Sequence, residues 1–291
     1  MLYGRGTLMI NLTNESLSVK IDEKGAQLKS VFHNGTEYMW GADPLVWPST
    51  APIMFPVCGG LKDDSYFYAG KKYPMIKHGF CRMYVFEVES AEETKAVLLL
   101  KSNEETKKSY PFDFEFRVFF ELEGKSVKVN YQVTNTGADT MFFNVGSHEG
   151  FATPEGIEDY DILFDENVTL NSHYLCGNIA LNETFPILKD SKVLPLYDKY
   201  FTVEPLMFSN ISAKAATLRN RKTGRSLRLD FPDAKHLVLW HKESAGFICI
   251  EPWNGYHDFP EADSNLENKK GITSLDSGKQ FDFRHTITVE G

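Results

Sequence analysis

Two histidines, an arginine and a glutamate are concentrated in three short stretches, KHGFCR (77–82), GSHEGF (146–151) and IEPWNG (250–255). In each, an ionisable side chain sits at or near the end of an apolar run, and residues that bend the chain follow: Gly79, Gly150, and Pro252 with Gly255. His148 follows residues 142–147, which read as the end of a buried strand. Glu251 follows the apolar run FICI and precedes Pro-Trp, a context in which a carboxylate is costly to bury unless it is paired or hydrogen-bonded. A partner for it is therefore expected. Imidazoles and a buried carboxyl at strand ends are the equipment for acid-base chemistry on an uncharged polyol.

Taken singly, each residue also has a plainer reading. His78 fits a core-edge histidine satisfied by a backbone carbonyl, and Arg82 a surface ion-pair residue, although its place beside the HGF turn also suits a clamp on an oxygen-rich ligand. Trp253 reads equally as a core aromatic or as a platform for stacking a sugar ring. No Ser or Cys stands in a nucleophile elbow, no glycine-rich loop opens a helix, and no H-E-x-x-H is present, so the hydrolase, nucleotide-binding and zinc-protease templates fail.

The elements that must hold these residues are strands. SLSVKI and AQLKSVF flank the turn DEKG, HNG leads into TEYMW, and SYFY and KKYPMI flank Ala69-Gly70. FEFRVFFEL and SVKVNYQVTN flank EGK, and in the second arm Val127, Val129, Tyr131 and Val133 alternate with polar residues, the period of a half-buried strand. AATLRN with SLRLDF, and HLVLWH with FICIEPW, repeat the device, and FRHTITVE closes the series. Only PLYDKYF and EADSNLENKKG suit a turn or short helix. Many short strands without a run of helices predict an all-β fold, a large antiparallel β-sandwich.

The 291 residues, 42% hydrophobic and 24% charged, suffice for one large core. No linker, repeat or low-complexity stretch divides them, which predicts a single domain over 9–291, with residues 1–8 an upstream start or leader. A formal net charge of −9 repels phosphate backbones and anionic lipid, so nucleic-acid and membrane partners are not expected. Cys58, Cys81, Cys176 and Cys249 form no C-x-x-C pair and read as unpaired thiols. With no secretory leader and no apolar run long enough to span a bilayer, a cytoplasmic protein is expected.

The order and spacing of six blocks resemble the aldose 1-epimerases, or galactose mutarotase-like proteins, and within them the LacX-type branch. The blocks are Gly25 before AQLKSV, WPSTAPIMFPVCGGLKDD (47–64), HGFCR (78–82), YPFDF (110–114), NVGSHEGF (144–151) and CIEPWNG (249–255). The resemblance implies a β-supersandwich that interconverts the α and β anomers of a hexose, free or phosphorylated, with no metal or organic cofactor. It implies Glu251 as general base toward the anomeric hydroxyl and His148 as general acid toward the ring oxygen. His78, Arg82, Glu204 and Trp253 are then the substrate-binding residues, Glu204 standing where relatives usually carry Asp.

Three departures accompany the likeness. Glu149-Gly150 replaces the Pro of the usual H-P-x-F, Gly60 stands where many relatives have Arg, and Glu204 is one methylene longer than Asp. The first leaves open a sugar-binding protein without turnover. A glycoside hydrolase built on Glu204 and Glu251 is a third reading, since glycosidic cleavage uses paired carboxylates.

Overall fold

The computed structural model of the chain describes residues 8–202 and 205–290. Strict alternation sets the strands. In Phe114–Glu123 and Ser126–Asn135 every second side chain is buried, and the two close over Gly124 with Leu122 opposite Val127 and Phe120 opposite Val129. Such cross-strand apolar pairs stabilise an antiparallel ladder while the other face meets water. The hairpins expected around DEKG, Ala69-Gly70, RKTGR and KESAG all form.

Among the described residues the main sheet is wholly antiparallel. Glu149–Ala152 lies at one edge beside Phe247–Trp253, which pairs with His236–Trp240 and, through Leu206–Ser209, leads to Tyr160–Cys176. The order then runs through Ala215–Asn220, Ser226–Asp230, Gln280–Glu290, Ser126–Asn135, Phe114–Glu123 and Lys95–Lys101 to Glu87–Ala91. A separate four-stranded sheet holds the N-terminal strands from Met9–Thr13 to Thr36–Glu37. The result is the large antiparallel β-sandwich expected from the sequence. No helix among the described residues is long and apolar enough to cross a membrane.

Three local readings need correction. Tyr160–Cys176 and Ile179–Pro195 form a long hairpin that strand patterning did not reveal, because four register shifts break its two-residue period. The strand expected over TEYMW ends at Glu37, whose carboxylate accepts the N–H groups of Val31, Tyr38 and Met39 and so turns the backbone out of the ladder. His148 does not end the strand Met141–Phe143. It stands immediately before the next one, Glu149–Ala152.

One irregular segment, residues 53–60, ties the chemically interesting stretches together. Met54 bridges Gly146, Gly146 bridges Trp253, and Phe55 bridges Gly79. The Phe55 ring is fully buried among Phe80, Tyr110, Phe114, Phe116 and Phe143. All three motif stretches are thus laced to one aromatic core.

Glu149 lies in that interior and is 1% exposed. Its Oε1 stands 2.8 Å from Nε2 of His285, which is itself 1% exposed, in a geometry that does not meet that of a hydrogen bond. Removing one partner leaves the other a buried polar group without its neighbour, at about 1–3 kcal/mol. Glu149→Ala is expected to lower the urea unfolding free energy by that amount; a loss under about 1 kcal/mol in the same measurement would show that Glu149 has no such partnership.

Candidate active site

His148 and Glu251 meet at the edge of the main sheet because their strands are neighbours there, with Glu149 opposite Ile250. His148 Nδ1 is 3.5 Å from Glu251 Oε1, and no hydrogen bond satisfies that nitrogen. The second carboxylate oxygen of Glu251 accepts the indole N–H of Trp253 at 3.2 Å. Alternation along Phe247–Trp253 puts Cys249, Glu251 and Trp253 on one face of the strand.

His148, Glu251 and Trp253 line a cavity of about 350 Å³ with Trp47, Lys77, His78, Trp240 and His257. Trp47 stacks on the His148 ring, centroids 5.1 Å apart and planes 27° apart, while Trp240 meets the same ring edge-on at 5.8 Å. The imidazole, 13% exposed, is held in an aromatic corner.

His78 enters from the turn after Lys71–Pro74 and holds φ at +67°, a conformation uncommon outside glycine and found where a site imposes it. Its backbone N–H donates to the Gly59 carbonyl at 2.8 Å, and its Nδ1 accepts the Gly59 N–H at 3.2 Å. The lone pair is used at Nδ1, so Nε2 carries the proton and donates.

Burial dominates the electrostatics. It lowers the His148 imidazole to about 3, with Lys77 and Arg82 acting in the same direction, and holds His78 well below its usual range. Burial also raises the Glu251 carboxyl well above its usual range, against the opposing pull of Lys77 and the Trp253 hydrogen bond. Both shifts disfavour the charged forms of the pair.

His148, Cys249 and Glu251 bring one potential ligand atom each to within 4.8 Å of one another, the set best suited to a metal among the described residues. Burial keeps both the Cys249 thiol and the Glu251 carboxyl protonated, so an ion would have to displace two protons to bind there. Cys58 and Cys81 are buried and unpaired, with thiols pushed up by burial.

Of the six residues singled out from sequence, the structure gathers His78, His148, Glu251 and Trp253 around the cavity. Trp253 serves there as a donor to Glu251. Arg82 is not among the lining residues; its guanidinium donates to the Lys77 carbonyl at 3.0 Å and braces the turn that carries His78. Glu204 lies outside the described residues. Glu149 points away from His148 into the core, so its replacement of proline leaves the cavity face of that strand unchanged. Trp47, Trp240 and His257 were missed, Trp47 although it opens a motif block and His257 although it lies six residues past Glu251.

The sequence pattern of the family described as aldose 1-epimerase matches residues 9–288. The plasmid-borne and chromosomal LacX proteins of Lactococcus lactis subsp. lactis are each 35% identical over 291 residues, covering 94% of this chain and 97% of theirs. Among solved structures, the galactose mutarotase related enzyme of Lactobacillus acidophilus superposes with a TM-score of 0.93 at 34% identity, covering 98% of both chains. A galactose mutarotase-like protein from Lactobacillus casei gives 0.91 at 28% identity, over 97% of this chain and 100% of that one. The galactose 1-epimerase of Lactobacillus acidophilus, at 14% identity and a TM-score of 0.73, shares the fold. With the match running from the first N-terminal strand into the last, this chain belongs to the aldose 1-epimerase family.

Proposed function

We propose that the protein is an aldose 1-epimerase that interconverts the α and β anomers of a hexose, with Glu251 and His148 as its catalytic pair. The observation that carries this reading is the 3.5 Å approach of an imidazole nitrogen to a carboxylate oxygen on the wall of a sugar-sized cavity. Ring opening removes the proton of the anomeric hydroxyl and delivers one to the ring oxygen as the C1–O5 bond breaks. Both oxygens are bonded to C1, so two groups side by side can serve them together. With the pair's one proton passed from carboxyl to imidazole, Glu251 takes the hydroxyl proton and His148 supplies the ring oxygen; rotation about the opened C1–C2 bond exposes the other carbonyl face, and closure reverses the transfers. No electron leaves or enters, and the proton count is unchanged.

The pair needs one proton in total. Whether carboxyl or imidazole holds it, the net charge and the pH dependence are the same. His78, with Nε2–H available, donates to a sugar oxygen, and Trp47 and Trp240 present apolar faces to the ring. Glycine at position 60, where many relatives carry Arg, brings no cation, which favours a free hexose; Lys77 on the lining is the feature that would favour a hexose phosphate. Glu149 faces the core and not the cavity, which is compatible with turnover.

Exchange NMR of the anomeric protons of glucose and galactose tests the reaction. The protein should accelerate exchange, and His148→Ala and Glu251→Gln should each reduce kcat by about 10²–10⁴-fold while sugar still binds. No acceleration across hexoses and hexose 6-phosphates would overturn the proposal.

The pH profile tests the pair. Because His148 stays unprotonated until about pH 3, kcat/KM should be level as pH falls through 6.5, and activity should fall on the alkaline side, where the pair loses its one proton. An acid limb centred near 6.5 in the wild type would contradict this. Trp47→Ala admits more water to His148 and should move the imidazole up toward its usual range, bringing such a limb into view; an unshifted His148 signal in an NMR titration would show that Trp47 does not shield it.

A further inference from the structure

His257 is a cavity-lining histidine that the catalytic reading leaves unused. It is 1% exposed and fixed from several sides. Its Nδ1 lies 3.0 Å from the Gly60 N–H and 2.9 Å from the carbonyl oxygen of Asn178 at the tip of the long hairpin. One neutral tautomer accepts from Gly60 and the other donates to Asn178; in both, Nε2 is the pole left over. Among the described residues that nitrogen makes no hydrogen bond, and the ring lines the cavity.

The hairpin tip is anchored independently. Asn178 Nδ2 donates to Asp64 at 2.9 Å, and Ala180 N–H donates to the Asp258 carbonyl at 2.8 Å. Asp258 N–H donates in turn to the Gly60 carbonyl at 2.9 Å. Two glycines make the arrangement possible. A Cβ on Gly59 would fall 2.7 Å from the His257 ring, and one on Gly60 would fall 2.3 Å from the Asn178 carbonyl oxygen. No side chain, arginine included, fits at position 60 while the tip sits where it does.

We propose that His257 is a further substrate-contacting residue, its Nε2 hydrogen-bonded to a hydroxyl of the bound hexose, with the Asn178 carbonyl and the Gly60 N–H seating the ring. The assignment rests on the sugar reading of this cavity but not on turnover. Burial holds the ring neutral, as it does His78, and a neutral imidazole matches a hydroxyl, which both donates and accepts. The long hairpin thus acts on specificity from outside the strands that carry the catalytic pair.

Calorimetry with the wild type and His257→Ala, using the preferred hexose and its set of monodeoxy analogues, tests the contact. The wild type should lose affinity about five-fold when one particular hydroxyl is removed, the weight of one net hydrogen bond. His257→Ala should bind the parent sugar about five-fold more weakly and be indifferent to loss of that hydroxyl. His257→Gln, which keeps a polar terminus, should recover part of the discrimination and carries the test if the alanine variant does not fold. A variant that discriminates among the deoxy sugars as the wild type does overturns the proposal, as does failure of the wild type to bind any hexose. Binding by the wild type without anomer exchange overturns the catalytic reading alone and leaves the comparison at His257 intact.

Discussion

The arrangement depends on keeping a carboxyl group out of water. Glu251 is 1% exposed and lies on a strand whose every residue is buried, where an isolated carboxylate would be untenable. It is accommodated because Trp253, two residues on and on the same face, donates to one oxygen and His148 from the neighbouring strand approaches the other. Each partner requires the strand pairing that brings it there. The dryness that makes the carboxyl expensive also raises it above its usual range, the kind of shift that a proton-transfer group working near neutral pH requires.

That pairing is enforced at a distance from the chemistry. The segment 53–60 has no regular structure of its own, yet its bridges to Gly79, Gly146 and, through Gly146, Trp253 fix the spacing of the three motif stretches. The Phe55 ring anchors the segment in the aromatic core. Irregular backbone is tolerated here because its polar groups are bonded to neighbouring segments, as in Met54 N–H to the Gly146 carbonyl and Phe80 N–H to the Phe55 carbonyl. Aromatic shielding comes from a third direction, with Trp47 on the face of the His148 ring and Trp240 at its edge. Carboxyl, imidazole and shield therefore belong to different parts of the chain and converge only when the sandwich closes.

Much of this was legible beforehand. The alternation of Val127, Val129, Tyr131 and Val133 specifies a half-buried strand because side-chain direction in a strand has a period of two, and the pattern held residue for residue. Glu251 announced itself by chemical context, a carboxylate inside an apolar run, and His148 by its place in a recognisable block. The long hairpin escaped because its bulges scramble the period, and the strand at TEYMW was overextended because Glu37 competes for the backbone N–H groups it would need.

By itself the sequence determined the regularly alternating strands, the family and the identity of the buried acid and its imidazole, since these follow from local periodicity, from the order of the motif blocks and from residue types placed where they are costly. Only the tertiary structure decided which way Glu149 faces, that Arg82 braces a turn instead of lining the cavity, and that Trp47 and His257 belong to the site. Position 60 shows why. Glycine there is neutral information in one dimension, and becomes a requirement only when a hairpin tip more than a hundred residues away lays a carbonyl oxygen where a Cβ would be. Proximity across the chain, and the dielectric and packing that follow from it, are properties of the closed fold and have no local signature in the sequence.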